Sequence, residues 1–167
     1  MAAIVLGIDP GLSISGFAII ERRGQCAYLL ECGYLSLPAS KSIAERISLF
    51  HDFFIQKISY FRVTSVALET PFLGKNSQSF LKLGYLRGIV YLIGNKAGIV
   101  VHDFSPREVK QMVTGHGGAS KEQIAHVIAQ FFPAIQNVKK IKADVTDACA
   151  IALCGYWYQN RNPVFLK

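Results

Sequence analysis

The sequence predicts an α/β protein whose sheet begins with antiparallel strands. Short apolar runs that end in turn residues indicate strands, and three of them precede the first stripe of apolar residues at helical spacing. After that stripe, apolar runs and helical stripes alternate, which is typical of α/β proteins. The 167 residues contain no repeat and no linker, so we expect one domain over residues 1–167.

The first three elements are expected to be strands. Residues 4–8 form an apolar run that ends at Asp9-Pro10-Gly11, a typical turn sequence. Residues 17–21 and 27–37 follow, and the polar turn 22–25 joins them as a hairpin. Hydrophobic residues make up 51% of the chain, a fraction that favours central strands covered on both faces.

The rest of the chain alternates helices with strands. Residues 42–60 and 76–95 predict helices, and the apolar runs 63–68 and 99–104 predict the strands that follow them. A short helix is expected over 105–113. Ser120 and Gln123 form a capping box for a helix that runs to about residue 132. The alanine-rich segment 142–158 predicts a last helix that can pack closely on a sheet.

Four acidic residues stand at positions where they can converge. Asp9 and Glu69 each end a short apolar strand, and parallel neighbouring strands would bring both to the same carboxyl-end edge. Asp144 and Asp147 are three residues apart, so one face of the last helix presents both. Packing of that face over the sheet edge would gather all four. Oxygen ligands of this kind favour Mg²⁺ or Mn²⁺ over zinc.

The charge balance indicates what such a site would act on. The chain has 18 Lys+Arg against 11 Asp+Glu, a formal net charge of +7, which favours a polyanionic substrate and nucleic acid first. Two metal ions could then clamp the attacking water and the leaving oxygen of phosphodiester hydrolysis. Taken singly, each acid has another explanation, as a turn former, an exposed strand end or a partner of the helix dipole. Their occurrence together favours an active site.

Basic and aromatic residues near these segments are candidates for nucleic-acid contacts. Long cations can neutralise phosphates, although any one of them is also typical of a solvated surface. The loop 115–118 either brings backbone amides to a phosphate or is a plain connection. Phe72 either stacks on an unpaired base or folds back on the core. The basic residues in question are Lys75, Lys82, Arg87, Arg107, Lys110, Lys121, Lys139, Lys140 and Lys142.

Several other classes of protein are disfavoured. No apolar stretch is long enough to span a membrane and residues 1–8 lack the features of a signal peptide, so we expect a cytoplasmic protein without a membrane partner. Cys26, Cys32, Cys149 and Cys154 form no CxxC pair, and buried free thiols are expected rather than zinc ligands.

Four segments together resemble the RuvC family of Holliday-junction resolvases. They read GIDPGLSISGFAII, ALETPFLGKNSQSFLKLGYLRG, SPREVKQMVTGHGGASKEQI and KADVTDACAIA, in this order. The resemblance implies a ribonuclease H-like fold with a mixed five-stranded sheet flanked by helices. It also implies a homodimer that resolves a four-way DNA junction by paired nicks in opposed strands during recombination and repair. A branch-migration helicase is the implied partner.

The same resemblance assigns roles to individual residues. It implies that Asp9, Glu69, Asp144 and Asp147 are the catalytic residues and the ligands of Mg²⁺, with two ions per subunit and Mn²⁺ as a substitute. The last of these four positions is a histidine in some relatives. Lys110 and Lys121 match basic positions near the scissile phosphate. The implied DNA-contacting residues are Phe72, Lys75, Arg107, Lys110 and Lys121.

Three other functions remain to be weighed. An actin-like ATPase or sugar kinase shares a strand–acid–glycine loop, but it needs two such domains. A nuclease of the same kind could act on other branched DNA or on RNA. A non-catalytic nucleic-acid-binding module would gain nothing from carboxylates that face phosphates.

The helix expected over 76–95 is the candidate dimer interface. It carries more apolar residues than one core-facing stripe needs, and two glycines four residues apart would permit close approach of a second helix. These residues are Phe80, Leu83, Leu86, Val90 and Ile93, with Gly84 and Gly88.

Overall fold

Five strands form one mixed sheet in the order β3-β2-β1-β4-β5. The computed structural model describes residues 3–71, 77–133, 135 and 143–161. The strands are β1 (Ile4–Asp9), β2 (Ile14–Arg23), β3 (Cys26–Ser36), β4 (Ser65–Glu69) and β5 (Val100–Phe104). β1, β2 and β3 pair antiparallel, whereas β4 runs parallel to β1 and β5 runs parallel to β4. The α/β fold with an antiparallel start is therefore confirmed.

The described residues form five α-helices, which lie on the two sides of the sheet. They are α1 (Ile43–Phe61), α2 (Ser77–Ala97), α3 (Pro106–Thr114), α4 (Lys121–Phe131) and α5 (Ala143–Arg161). Each corresponds to a helix that the sequence predicts. Three of them begin with a complete capping box, in which a serine and the residue three positions later satisfy each other's backbone N–H groups. The boxes are Ser42 with Glu45, Ser105 with Glu108, and Ser120 with Gln123.

Alternation along the strands sends side chains to two separate cores. On β1, Leu6 and Ile8 pack into a core beneath α1 and α2. Val5 packs on the opposite face, in a core formed with α3, α4 and α5. Because side chains two residues apart share a face, Gly7 and Asp9 also face α5. On β4, Ala67 belongs to the α5 core, so the same rule places Glu69 on that side.

Helix α5 lies unusually close to the strands. A Cβ atom on Gly7 would stand 2.5 Å from both the carbonyl oxygen of Ala148 and the backbone nitrogen of Ala152. A Cβ atom on Gly16 of β2 would overlap the carbonyl oxygen of Asp144 at the start of α5. These strand glycines are therefore required by the packing, since any side chain there would push the helix off the sheet.

The apolar residues of the long helix α2 that are exposed are not the ones that the sequence analysis expected at a dimer interface. Leu86, Val90 and Ile93 are buried in the core, so these members of the expected interface face their own sheet. Other apolar residues on α2 are exposed instead, among them Leu81 and Tyr85. The periodicity of the sequence could not separate the two sets, because α2 is apolar around much of its circumference.

The expectation that the cysteines are buried free thiols is confirmed for some of them and wrong for one. Cys149 and Cys154 are buried free thiols, but Cys26 is exposed because it opens the edge strand directly after a hairpin turn.

No helix among the described residues is both long enough and apolar enough to cross a membrane. Phe72, Lys75 and the lysines of 139–142 lie outside the described residues. The expectation of one domain over residues 1–167 stays a prediction.

Candidate active site at the carboxyl ends of β1 and β4

Asp9 and Glu69 are the last residues of two neighbouring parallel strands. Ile8 is paired with Leu68 in the ladder between β1 and β4, so the two acids lie side by side at one edge of the sheet. Both face α5, as the alternation of their strands requires. The structure thus meets the condition on which their convergence was predicted from sequence.

The turn that follows Asp9 is held by hydrogen bonds. The hydroxyl of the buried Ser15 accepts from the backbone nitrogen of Gly11 at 3.1 Å and donates to its carbonyl oxygen at 2.9 Å. Arg46 of α1 donates from Nη1 to the carbonyl oxygen of Leu12 at 3.0 Å. These contacts fix the backbone beyond Asp9, and they restrict the direction in which its carboxylate leaves the strand.

The other two acids are brought in by α5. Gly16 is the ladder partner of Asp9, and it is also the residue against which the backbone of Asp144 packs. Close packing at this glycine therefore places the first turn of α5 above the end of β1. Asp147 lies one turn further along the helix and lines a cleft together with Glu69. The four acids named from the sequence therefore lie near enough to one another for the charges of Glu69, Asp144 and Asp147 to act on Asp9.

The electrostatics of the cluster are those of crowded, partly desolvated anions. The pKa of Asp9 is raised to about 7, mainly by burial and then by the neighbouring carboxylates Glu69, Asp147 and Asp144. Burial is also the main cause that raises the pKa of Glu69 to about 7, followed by the charge of Asp147. The folded protein therefore holds these carboxylates in a place that disfavours their ionised forms unless a cation is near.

Two lysines from different helices oppose this accumulation of negative charge. Lys121 of α4 forms an ion pair with Asp147, with Nζ 3.0 Å from Oδ2, and this contact raises the pKa of Lys121. Lys110 of α3 lines the same cleft, and its charge lowers the pKa of Glu69. The Lys121 side chain keeps 69% of its surface exposed, so it also faces solvent at the mouth of the cleft.

The donor set fits a hard divalent cation. All four side chains offer carboxylate oxygens, which are the ligands that Mg²⁺ and Mn²⁺ prefer. The raised pKa of Asp9 and of Glu69 indicates that added positive charge would stabilise the cluster. Within the part of the chain that the structure describes, no three acidic, histidine or cysteine side chains stand close enough together to hold an ion. The carboxylates would therefore have to draw together around it.

The hydrogen bonds of the loop 115–118 bear on one of its two sequence interpretations, the phosphate cradle. His116 donates its backbone N–H to the Thr114 hydroxyl at 3.2 Å, and Gly117 donates to Oε1 of Gln111 at 3.0 Å. Gln111 in turn donates from Nε2 to the carbonyl oxygen of Gly115 at 2.7 Å. The amides of His116 and Gly117 are satisfied by side chains of α3, which argues against a phosphate cradle. The interpretation as a plain connection between α3 and α4 stays a prediction.

The basic candidates have different surroundings. Arg107 is exposed on α3, where its side chain lies along Gly117. Arg87 is largely buried and ion-paired with Asp103, which argues against the expectation that it neutralises phosphates. Sequence reasoning missed this pair because its partners are 16 residues apart. The signal available was Asp103 itself, a further acid close to the carboxyl end of a strand.

A family model described as "Crossover junction endodeoxyribonuclease RuvC" matches residues 5–155. The chain belongs to the RuvC family. A RuvC protein from Prosthecochloris aestuarii is 39% identical over 151 residues, which covers 90% of this chain and 80% of that protein. One from Pelodictyon phaeoclathratiforme is 42% identical over 151 residues, covering 90% and 78%.

Two solved structures that share the fold are a RuvC protein and a yeast resolvase. Thermus thermophilus RuvC, in complex with a Holliday junction substrate, has a TM-score of 0.86 and 28% sequence identity, and the match covers 95% of this chain and 96% of that chain. The yeast mitochondrial Holliday junction resolvase Ydc2 has a TM-score of 0.65 at 14% identity, with coverage of 97% and 86%. This second likeness bears on the fold alone. The ribonuclease H-like architecture implied by the RuvC resemblance is thereby confirmed.

The raised pKa of Asp9 predicts how stability depends on pH without metal. Its pKa is 3.8 when unperturbed and about 7 in the fold, so between these values the folded state binds more protons than the unfolded state. The free energy of unfolding should therefore fall as pH rises from about 4 to about 7. Asp9→Asn removes this titration. The free energy of unfolding of the variant, minus that of the parent protein, should therefore increase as pH rises over that range.

Urea unfolding in EDTA at several pH values measures this difference. Asp52→Asn, a change at an exposed aspartate of α1 that contacts His51, is the control, and its stability difference from the parent protein should vary much less with pH than that of Asp9→Asn. A stability difference between Asp9→Asn and the parent that does not vary with pH would contradict the electrostatic description of the cluster.

Proposed function

We propose that this protein is a divalent-metal-dependent endonuclease that resolves four-way DNA junctions during homologous recombination and DNA repair. One observation carries the proposal: two strand-end carboxylates and two carboxylates of α5 converge beside Lys110 and Lys121. Membership of the RuvC family supports the reaction class. The junction-bound structure of the T. thermophilus relative supports the substrate.

The four acids are proposed to hold the catalytic metal. Mg²⁺, with Mn²⁺ as a substitute and two ions per subunit, would supply an activated water and neutralise charge on the phosphate. Asp9 and Glu69 would hold it from the rigid ends of β1 and β4. Asp144 and Asp147 would close the site from α5. Because the four carboxylates are negatively charged, they would repel a phosphate that arrives without a bound cation.

The cations around the cleft are proposed to bind the DNA backbone. Lys110 and Lys121 reach the cleft from α3 and α4, so a phosphate bound there would lie between the two helices and the carboxylates. Arg107 is exposed one turn before Lys110 on the same helix. Phe72 and Lys75 follow Glu69 in the chain, and their contacts with DNA, including stacking of Phe72 on a base, stay predictions.

Asp9→Asn should separate cleavage from binding. The amide keeps the shape of the carboxylate but removes one anionic ligand, so single-turnover cleavage of a synthetic four-way junction in Mg²⁺ should fall by orders of magnitude. Binding of the junction in EDTA should be unchanged or tighter because one repulsive charge is gone.

The same assay includes a duplex and a single strand, each with and without Mg²⁺, and Asp52→Asn as a control that should cleave normally. Junction cleavage by Asp9→Asn at close to the parent rate would refute the assigned site. Equal cleavage of all three substrates would refute the proposed substrate.

Lys110→Met and Lys121→Met should each weaken junction binding in a salt-dependent way. A lysine that contacts one phosphate contributes about one unit to the slope of log binding constant against log salt concentration. Each variant should therefore lower the magnitude of that slope by about one, measured by fluorescence anisotropy in EDTA. Lys41→Met, before α1, is the control. Slopes equal to that of the parent protein would exclude phosphate contacts at the two lysines.

We propose that a second copy of the chain packs against α2. Leu81, Tyr85 and Leu92 leave 61%, 52% and 46% of their surfaces exposed. With Gly88 they recur at a spacing that puts them on one face of the helix. Gly84 and Gly88 have open space around the position of a Cβ atom, which would allow two helices to approach closely. A dimer with two-fold symmetry would place one carboxylate cluster on each of two equivalent junction strands.

Paired cleavage can be measured on a supercoiled plasmid that extrudes a cruciform. Two nicks within one binding event linearise the plasmid, whereas independent monomers first accumulate nicked circles. Leu81→Arg should yield a monomer by light scattering and mainly nicked circles. Leu49→Arg, which places the same charge at an exposed leucine of α1, should remain dimeric and give linear product. A monomeric parent protein that gives only nicked circles would contradict the paired mechanism.

Two further aspects of the biology are proposed on the family relationship. The resemblance to the family implies a branch-migration helicase as the partner. We also place the activity in the cytoplasm, where the free thiols of this chain would stay reduced.

A further inference from the structure

Arg87 is a largely buried cation that holds the end of β4. Its side chain is 13% exposed. Nη1 donates to the backbone carbonyl oxygen of Glu69. Nη2 donates to the Tyr91 hydroxyl and to Oδ1 of Asp103, both at 2.8 Å. One guanidinium group therefore joins α2 to the last residue of β4 and to β5.

The orientation of this guanidinium is itself fixed. Tyr91 donates its hydroxyl proton to Oδ2 of Asp103 at 2.6 Å, so both carboxylate oxygens of Asp103 accept hydrogen bonds. The carbon of the Arg87 guanidinium lies 5.6 Å from the centre of the Tyr91 ring. Charge-assisted bonds in a planar fork allow few other arrangements. The charge of Arg87 is thus paired inside the protein.

These bonds anchor one peptide plane on both sides. The plane between Glu69 and Thr70 carries the Glu69 carbonyl, which Arg87 binds, and the Thr70 N–H, which donates to the carbonyl oxygen of Phe104 at 2.9 Å. The Thr70 hydroxyl donates to the same oxygen at 3.3 Å. Since the direction of a Cα–Cβ bond follows from the adjoining backbone, this anchoring sets the direction in which the Glu69 side chain leaves the strand.

We propose that Arg87 is a positioning residue, which orients the Glu69 carboxylate through the backbone and is itself held by Asp103 and Tyr91. The proposal rests on the proposed function, in which Glu69 holds the metal. Groups that orient a ligand without touching the ion commonly change metal affinity or activity by about 10–100-fold when removed. Arg87 would therefore act on metal binding and cleavage, and not on the binding of DNA phosphates.

The test measures Mn²⁺ binding to the intact protein without DNA, by calorimetry, together with junction cleavage. Arg87→Met should raise the Mn²⁺ dissociation constant about tenfold and slow cleavage at low metal, with recovery at high metal. Tyr91→Phe, which removes one hydroxyl and keeps the ring, should give a smaller effect in the same direction. Lys96→Met, at an exposed lysine near the end of α2, is the control and should match the parent protein.

Combining Arg87→Met with Glu69→Gln decides whether Arg87 acts through Glu69. The double variant should bind Mn²⁺ no more weakly than Glu69→Gln alone, because the group that Arg87 orients is already lost. Parent-like Mn²⁺ affinity in Arg87→Met and Tyr91→Phe, with only a lower melting temperature, would overturn the proposal. A reduced salt slope of junction binding in Arg87→Met, with parent-like metal affinity, would overturn it in favour of a phosphate contact.

Failure of the underlying site gives a different result. If Glu69→Gln itself binds Mn²⁺ like the parent protein, the assignment of Glu69 as a ligand is wrong, and the positioning role is overturned with it. If Glu69→Gln loses metal binding and Arg87→Met does not, the site stands and the positioning role alone is overturned.

Discussion

The close packing of α5 on β1 and β2 is the contact on which the candidate site depends. Gly7 admits the backbone of the helix between Ala148 and Ala152, and Gly16 admits the carbonyl of Asp144. Since Gly16 is also the ladder partner of Asp9, one short contact sets the separation between a strand-end acid and the first turn of α5. A side chain at either glycine would move half of the carboxylates away from the other half.

This packing creates an electrostatic cost that the surroundings partly offset. Burial and mutual repulsion raise the pKa of Asp9 and of Glu69 to about 7. Lys121 on α4 and Lys110 on α3 reduce the repulsion among the carboxylates. Each of these helices begins with a serine capping box. An acidic cluster inside a chain of net charge +7 can attract a divalent cation and a polyanion together, which is what phosphodiester hydrolysis by metal ions requires.

Most of the architecture could be predicted from sequence because its causes are local. Apolar alternation, turn residues and the box at Ser120 mark the elements, and strand-end acids mark the edge where Asp9 and Glu69 meet. What could not be predicted depends on contacts between distant residues: the partner of Arg87, the need for glycine at Gly16, and which apolar face of α2 is buried. The helix α2 is apolar on several sides, so only the packed structure separates its core residues from its exposed ones.

The central claim is that Asp9, Glu69, Asp144 and Asp147 together bind the catalytic metal. Anomalous diffraction from crystals of the protein grown with Mn²⁺ tests it most directly. We expect anomalous peaks within coordination distance of the oxygens of these carboxylates, and their loss in crystals of Asp9→Asn. Peaks confined to other parts of the surface, or peaks at the cluster that persist unchanged in Asp9→Asn, would contradict the account.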